Sequence, residues 1–399
     1  LQDVYQGLGP HVKRGEVKQI CVVQEIEKSR LAPLARRAFG FQFPVVSCGA
    51  TYAPKKVWGY VPVAEDGSAV FKVPAGLPIY FMAIDAEGRA VQRMRSFTHL
   101  MPGEVQGCIG CHENRLTSSG VGKMPAMLCG ESLELFPPEW GVRGFSYAHI
   151  VQPVLDQHCT RCHHPLEPAG GVDLTGDLTD FFNVSYEVLA RQDTIATDPD
   201  QGGLSRRGQQ AVSNPYTKWI PTYNRAEDNI LHIDPKTWGS PASKLADIIL
   251  SGHPDEEGKP RIKMDPASQR RVFAWIDLNV PYYGTSASNH YGLKGCRQIV
   301  PQKLAEVLSE VAKSRCASCH TEAVPRKFYV RITNPHLNDF LLAPLAKSAS
   351  GSQNCGKAVF QTRDDPDYRK ILATFVPVAD LLNKTARMDV PGSRLSTSP

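Results

Sequence analysis

Three stretches of this chain repeat one pattern: Cys108-Ile109-Gly110-Cys111-His112, Cys159-Thr160-Arg161-Cys162-His163 and Cys316-Ala317-Ser318-Cys319-His320. Two thiols three residues apart lie on one side of a helical turn. Each can form a thioether with one vinyl group of the same porphyrin. The histidine that follows then comes under the iron as an axial ligand, so the pattern reads as covalent attachment of a c-type haem. A redox Cys-x-x-Cys pair gains nothing from a following histidine. A structural zinc site takes four ligands, usually from two knuckles close in sequence, whereas these three lie far apart. The expected cofactors are three haem c groups, held by Cys108, Cys111, His112, Cys159, Cys162, His163, Cys316, Cys319 and His320.

The elements that must position these motifs fall into an α+β pattern: an N-terminal antiparallel β-domain, then helical cytochrome c-like haem segments with long loops. Residues Val17 to Val23, Val57 to Val63, Ala69 to Val73 and Ile79 to Ala83 are β-branched or aromatic runs. Glu65-Asp66-Gly67 and Pro74-Ala75-Gly76 punctuate them. The first motif follows this β-rich part directly. Ile150, Val151, Val154 and Leu155 have helical spacing and lead into the second motif. Leu304, Val307, Leu308 and Val311 do the same for the third. Further helices are expected at Leu245 to Leu250, at Val272 to Leu278 and at Phe340 to Leu345, with another start at Asp364-Asp365-Pro366-Asp367. Residues 192–240 are polar and rich in Gly, Asn and Pro, and read as a long irregular insertion. The expected division is 1–107 β-rich, 108–145 first haem segment, 146–285 cytochrome c-like domain with the second haem, and 286–399 helical segment with the third.

The 399 residues carry a net charge of +5 without a basic block, which excludes a nucleic-acid arm. No run of eighteen apolar residues predicts a membrane span. The sequence begins at Leu1 without a visible signal peptide. The expectation is a processed, exported protein of the periplasm or extracellular space, where covalent haem is attached. Cys21, Cys48, Cys129, Cys296 and Cys355 remain outside the motifs. In an oxidising compartment Cys296 is expected to pair with Cys355, and Cys48 with Cys129.

Residues 57–115 carry Gly59-Tyr60-Val61-Pro62-Val63, Glu65-Asp66-Gly67-Ser68, Val73-Pro74-Ala75, Arg93-Met94-Arg95-Ser96, Pro102-Gly103-Glu104 and Gly110-Cys111-His112-Glu113. This stretch resembles the middle domain of the hydrazine synthase alpha subunit and related planctomycete-type multihaem cytochromes. Val151-Gln152-Pro153-Val154-Leu155-Asp156 and the run from Trp275 to Gly284 resemble that family's C-terminal haem domain. Leu341 to Lys347 and Asp365-Pro366-Asp367-Tyr368 resemble the stretch beyond that domain. The chain departs from the family in three ways. It has no β-propeller. It has a third haem motif. Where the enzyme has an iron-binding tyrosine, four residues past the first motif histidine, it has Leu116. The resemblance therefore implies the fold and the haems without carrying over hydrazine synthesis.

Sixth ligands decide what each haem does, because an iron with two strong axial ligands exchanges electrons and an open one transforms small molecules. Nine histidines lie outside the motifs: His11, His99, His149, His158, His164, His232, His253, His290 and His336. For the second haem the first candidate is His253, between two expected helices, where the family's C-terminal haem also takes its histidine. Its rival is Met264 in Lys263-Met264-Asp265-Pro266. For the third, the candidates are His336, His290 and Met388. For the first they are His99, eight residues short of Cys108, and His11 from the N-terminal arm. A surface or hydrogen-bonded role is the expectation for His149, His232 and His290. His158 and His164 are expected to pack on the second haem's edge or bond a propionate. Arg115, Arg161 and Arg315 either pair with propionates or are solvated. Asp173-Leu174-Thr175-Gly176-Asp177 has oxygen ligands but not an EF-hand's spacing.

The expected function is electron transfer by a trihaem cytochrome, more an electron carrier than an enzyme. One alternative is a haem enzyme of small nitrogen compounds with one open haem. Another is a subunit of an extracellular cytochrome filament. The expected partners are redox proteins or other copies of the chain, with no nucleic acid.

Overall fold

The computed structural model describes residues 1–28, 31–39, 42, 44–49, 51–111, 130–191, 218–221, 234–320 and 327–389. His112, Arg115, Leu116, Cys129 and His232 lie outside the described residues, as does most of the insertion, 192–217 and 222–233.

The fold is α+β. Strands β1 (Gln19–Glu25), β2 (Lys55–Pro62), β3 (Ile79–Ile84) and β4 (Ala90–Arg93) form one antiparallel sheet in the order β2-β1-β3-β4. Three of the four expected strands are present. The stretch Ala69–Val73 is not a strand: Phe71 makes only an isolated bridge with Leu133. Strand β4 took the place at the sheet's edge.

Helices follow: α1 (Tyr147–Ile150), α2 (Gln152–His158), α3 (Val184–Tyr186), α4 (Lys244–Leu250), α5 (Pro266–Asp277), α6 (Leu304–Val311), α7 (Asp339–Leu342), α8 (Pro366–Ala373) and α9 (Val376–Lys384). Local chemistry sets their starts. Ser243 caps α4 by accepting from Ala246 N. Asp265 caps α5 by accepting from Ser268 N at 2.9 Å, with Pro266 at the first helical position. Asp365 and Pro366 repeat that device at α8. As expected, α2 and α6 run into the second and third motifs. No helix precedes the first motif after β4.

The sheet is apolar on both faces. Val4, Leu8, Val17, Ile20, Val61 and Ala83 form a core on one side. On the other, Cys21, Val23, Val57, Tyr80 and Met82 share a continuous core with the helices, including Tyr147, Tyr186, Trp275 and Tyr282. Residues 304–375 have their own core, built on Leu304, Leu308, Phe340, Phe360 and Ile371.

One buried carboxylate ties the sheet to the helices packed on it. Asp277, the last residue of α5, accepts from Ala90 N on β4 at 2.9 Å, from Ser240 N at 2.7 Å and from Ser240 Oγ at 2.8 Å. Gly239 precedes that turn at φ +64°, and a Cβ there would stand 2.6 Å from Asp277 Oδ1, so a side chain has no room. Burial pushes the Asp277 carboxyl up to about 7, against the pull of its donors.

The unfolded chain therefore loses this proton near pH 4 while the folded chain holds it to about 7. Asp277 weakens folding progressively as pH rises through that window, by on the order of 4 kcal/mol. Thermal melting of the protein and of Asp277→Asn across pH 4–8 checks this. The melting temperature of the variant should gain on the parent between pH 4 and 7 and run parallel above it.

Candidate haem sites

The second motif begins where α2 ends. His163 N and Cys162 N both donate to Cys159 O at 3.1 Å, closing one turn that sets both thiols and the imidazole on the same stretch of backbone. The third motif repeats it: Cys319 N donates to Cys316 O at 3.0 Å and His320 N to the same oxygen at 2.9 Å.

His163 Nδ1 lies 2.9 Å from Val172 O. A backbone carbonyl there receives the Nδ1 proton and leaves Nε2 as the coordinating nitrogen, the usual way a protein fixes a ligating imidazole. Facing it is His253. The two ring centroids are 6.2 Å apart, their planes inclined by 35°. A metal–imidazole nitrogen bond of about 2 Å puts two rings that share one metal ion roughly 6 Å apart, centre to centre. Among the described residues, this is the one pair of histidine rings in contact.

His253 reaches this place through an unusual backbone. It closes α4, donating from its N–H to Ile248 O at 2.8 Å, with φ +51°. A non-glycine residue in the left-handed region costs energy and is kept where the surroundings enforce it. Here Arg261 N and Ile262 N both donate to Gly252 O, closing the loop behind His253. Arg161, inside the motif, donates to Arg261 O at 2.7 Å and ties that loop to the motif itself. Arg161 is exposed, yet it makes this contact, a role that spacing along the chain does not reveal, because its partner stands a hundred residues away. Met264, the rival ligand, is buried in the main core. His158 Nε2 is shielded from solvent without a hydrogen-bond partner, and His164 is exposed.

At the first motif, Cys108 and Cys111 open onto a cavity of about 1750 Å³ that also touches Phe71, Phe81, Met94 and Met101. It has room for a macrocycle. Gln2 N donates to Cys108 O at 2.8 Å and Asp3 N to Ile109 O at 3.0 Å. A Cβ on Gly110 would stand 2.4 Å from Gln6, so this glycine permits the close approach. His11 and His99 are both exposed, and neither is among the described residues lining the cavity.

At the third motif, Arg315 does not await a propionate. It donates to Val359 O at 2.9 Å and to Asp365 at 2.8 Å, holding the start of α8. His336 is half-buried beside Asp177, Arg331 and Arg363, and burial holds its pKa low. Neither it nor His290 is in ring contact with His320. His290 is the hydrogen-bonded core histidine expected, with Nε2 3.1 Å from Thr385 O. His149 and Met388 are half-buried.

The expected Cys296–Cys355 disulfide is absent. Cys296 is fully buried in the turn Lys294–Cys296, whereas Cys355 is exposed near Cys316 and Cys319. Cys48 is buried with Sγ 3.3 Å from Ala190 O, and its expected partner Cys129 lies outside the described residues. Burial pushes the Cys159 thiol up to about 11 and Cys111 to about 12. These are the reverse of the lowered values that make a Cys-x-x-Cys pair a redox catalyst. The turns that set two thiols and an imidazole on one stretch of backbone at the second and third motifs fit covalent haem.

Residues 15–113 match the family model described as the hydrazine synthase alpha subunit middle domain. Among solved structures, Kuenenia stuttgartiensis hydrazine synthase aligns with 71% of this chain and 42% of that chain, at 18% identity and a TM-score of 0.42. The present chain thus spans less than half the length of that one. A search of curated proteins finds no match. Among the described residues, no helix is long and apolar enough to cross a membrane.

His253→Ala should remove one low-spin haem signal from the electron paramagnetic resonance spectrum and create one high-spin signal. Met264→Leu should leave the spectrum unchanged. The opposite result would make Met264 the ligand.

Proposed function

We propose that this chain is an exported trihaem c-type cytochrome whose work is electron transfer. The observation that supports this most is the His163–His253 pair: two imidazoles placed, by separate hydrogen-bonded turns, at the spacing that sharing one metal ion demands. Haem bound there supplies a one-electron iron couple. The chain's own part would be to fix the histidine nitrogens and set the spacing between sites. Val172 O orients His163, the Gly252–Ile262 loop presents His253, and Arg161 holds that loop to the motif. The third site repeats the backbone turn of the second. Cys108 and Cys111 would hold the first haem at the cavity that they line. The export reading, periplasmic or extracellular, rests on covalent attachment. Redox proteins or further copies of the chain are the proposed partners.

A second reading applies to the first site alone. No histidine is among the described residues that line its cavity, while Met94 and Met101 are. An iron there without a strong sixth ligand would bind a small molecule, and the matched domain is named for an enzyme of nitrogen chemistry.

Mass spectrometry should show three covalent haems. Three low-spin signals in the oxidised protein, and no carbon monoxide shift in the reduced absorption spectrum, are the expected results. A high-spin signal that shifts with carbon monoxide would replace electron transfer by chemistry at an open haem.

A further inference from the structure

The loop that receives His163 is held from outside its own domain. Val172 O faces His163 Nδ1 at 2.9 Å, and Leu174 N donates to His163 O at 3.0 Å. The residue between them, Asp173, is buried. Its Oδ1 accepts from Thr175 N at 3.0 Å and Thr175 Oγ1 at 2.7 Å, folding the loop on itself. Its Oδ2 pairs with Arg331 Nη2, from the segment beyond the third motif. Arg331 Nη1 reaches Asp177 Oδ2 at 2.7 Å, and Asn334 donates to Asp177 Oδ1 at 2.6 Å. The guanidinium thus forks between two carboxylates of one short loop, the geometry that arginine provides and lysine does not.

The backbone around it is equally fixed. Thr179 and Arg331 form an antiparallel bridge, Ile332 N donates to Leu178 O at 2.8 Å, and Asn338 Oδ1 receives Arg331 N at 2.9 Å. Arg331 is 3% exposed, so its charge is set deep against the loop and is little screened.

We propose that Arg331 is a positioning residue for the axial histidine of the second haem: through Asp173 it fixes the Val172–Leu174 loop against His163, so the third segment sets the second haem's potential. This rests on the haem reading of the second motif. Charge alone has two consequences. Removing the Arg331 cation leaves Asp173 and Asp177 uncompensated near the iron, which favours the ferric state. Neutralising Asp173 does the reverse while keeping an oxygen for Thr175.

The test is a redox titration of the intact protein followed by electron paramagnetic resonance. The second haem is assigned as the signal lost in His253→Ala. In Arg331→Met its midpoint should fall; in Asp173→Asn, the milder change, it should rise. Arg331→Lys restores the charge and should return the midpoint toward the parent value without fully restoring the signal's shape. Unchanged midpoints in Asp173→Asn and Arg331→Met, with all haems retained, overturn the proposal. So does a shift of the same sign in both variants, which would mark simple loosening. A protein without haem at Cys159 and Cys162 would instead refute the haem reading, and this proposal with it.

Discussion

Strand β3 sends Tyr80, Met82 and Ile84 to one side of the sheet and Phe81 and Ala83 to the other, and both sides are apolar. Such a sheet must be covered twice, because neither face can be left to water. On one side the N-terminal segment and residues 133–135 provide the cover, and the first cavity lies there, between Phe71, Phe81 and Cys111. On the other side the cover is the aromatic packing of Tyr147, Tyr186, Trp275 and Tyr282, in a core shared with α2 and α4, which lead to the second motif and to His253. The sheet is thus the partition between two sites. Asp277 fixes the sheet to α5 through Ala90, and through Ser240 to the turn before α4.

Much of this was legible in the residues. The helices before the second and third motifs are announced by apolar spacing, although neither has a side-chain cap at its start. The helices expected on either side of His253 are present as α4 and α5, while the left-handed turn at Gly252 and His253 is set by the loop closed behind it. Strand β4 was missed because Ala90-Val91-Gln92-Arg93 is short and only its neighbour β3 makes it a strand. Ala69–Val73 has strand-like residues without a strand to pair with, and backbone pairing outweighs propensity.

The site contacts that were not legible share one property: their partners are remote in the chain. Arg161 meets Arg261 a hundred positions on, and Arg331 meets Asp173 at a separation of 158. The carboxylates of Asp173 and Asp177, whose spacing is not that of an EF-hand, are taken up by an arginine. The failed Cys296–Cys355 pairing has the same origin. Flanking the third motif in sequence says nothing of depth, and one cysteine lies in the core while the other faces solvent.

The pairing of Gln2 and Asp3 with Cys108 and Ile109 bears on how the molecule is made. In the finished fold residues 2–6 lie along the first motif, packed so closely that Gly110 has no room for a methyl group. On the proposed haem reading this gives assembly an order: that motif would be loaded while residues 2–6 are still loose, and they would close over it afterwards as the last seam of maturation.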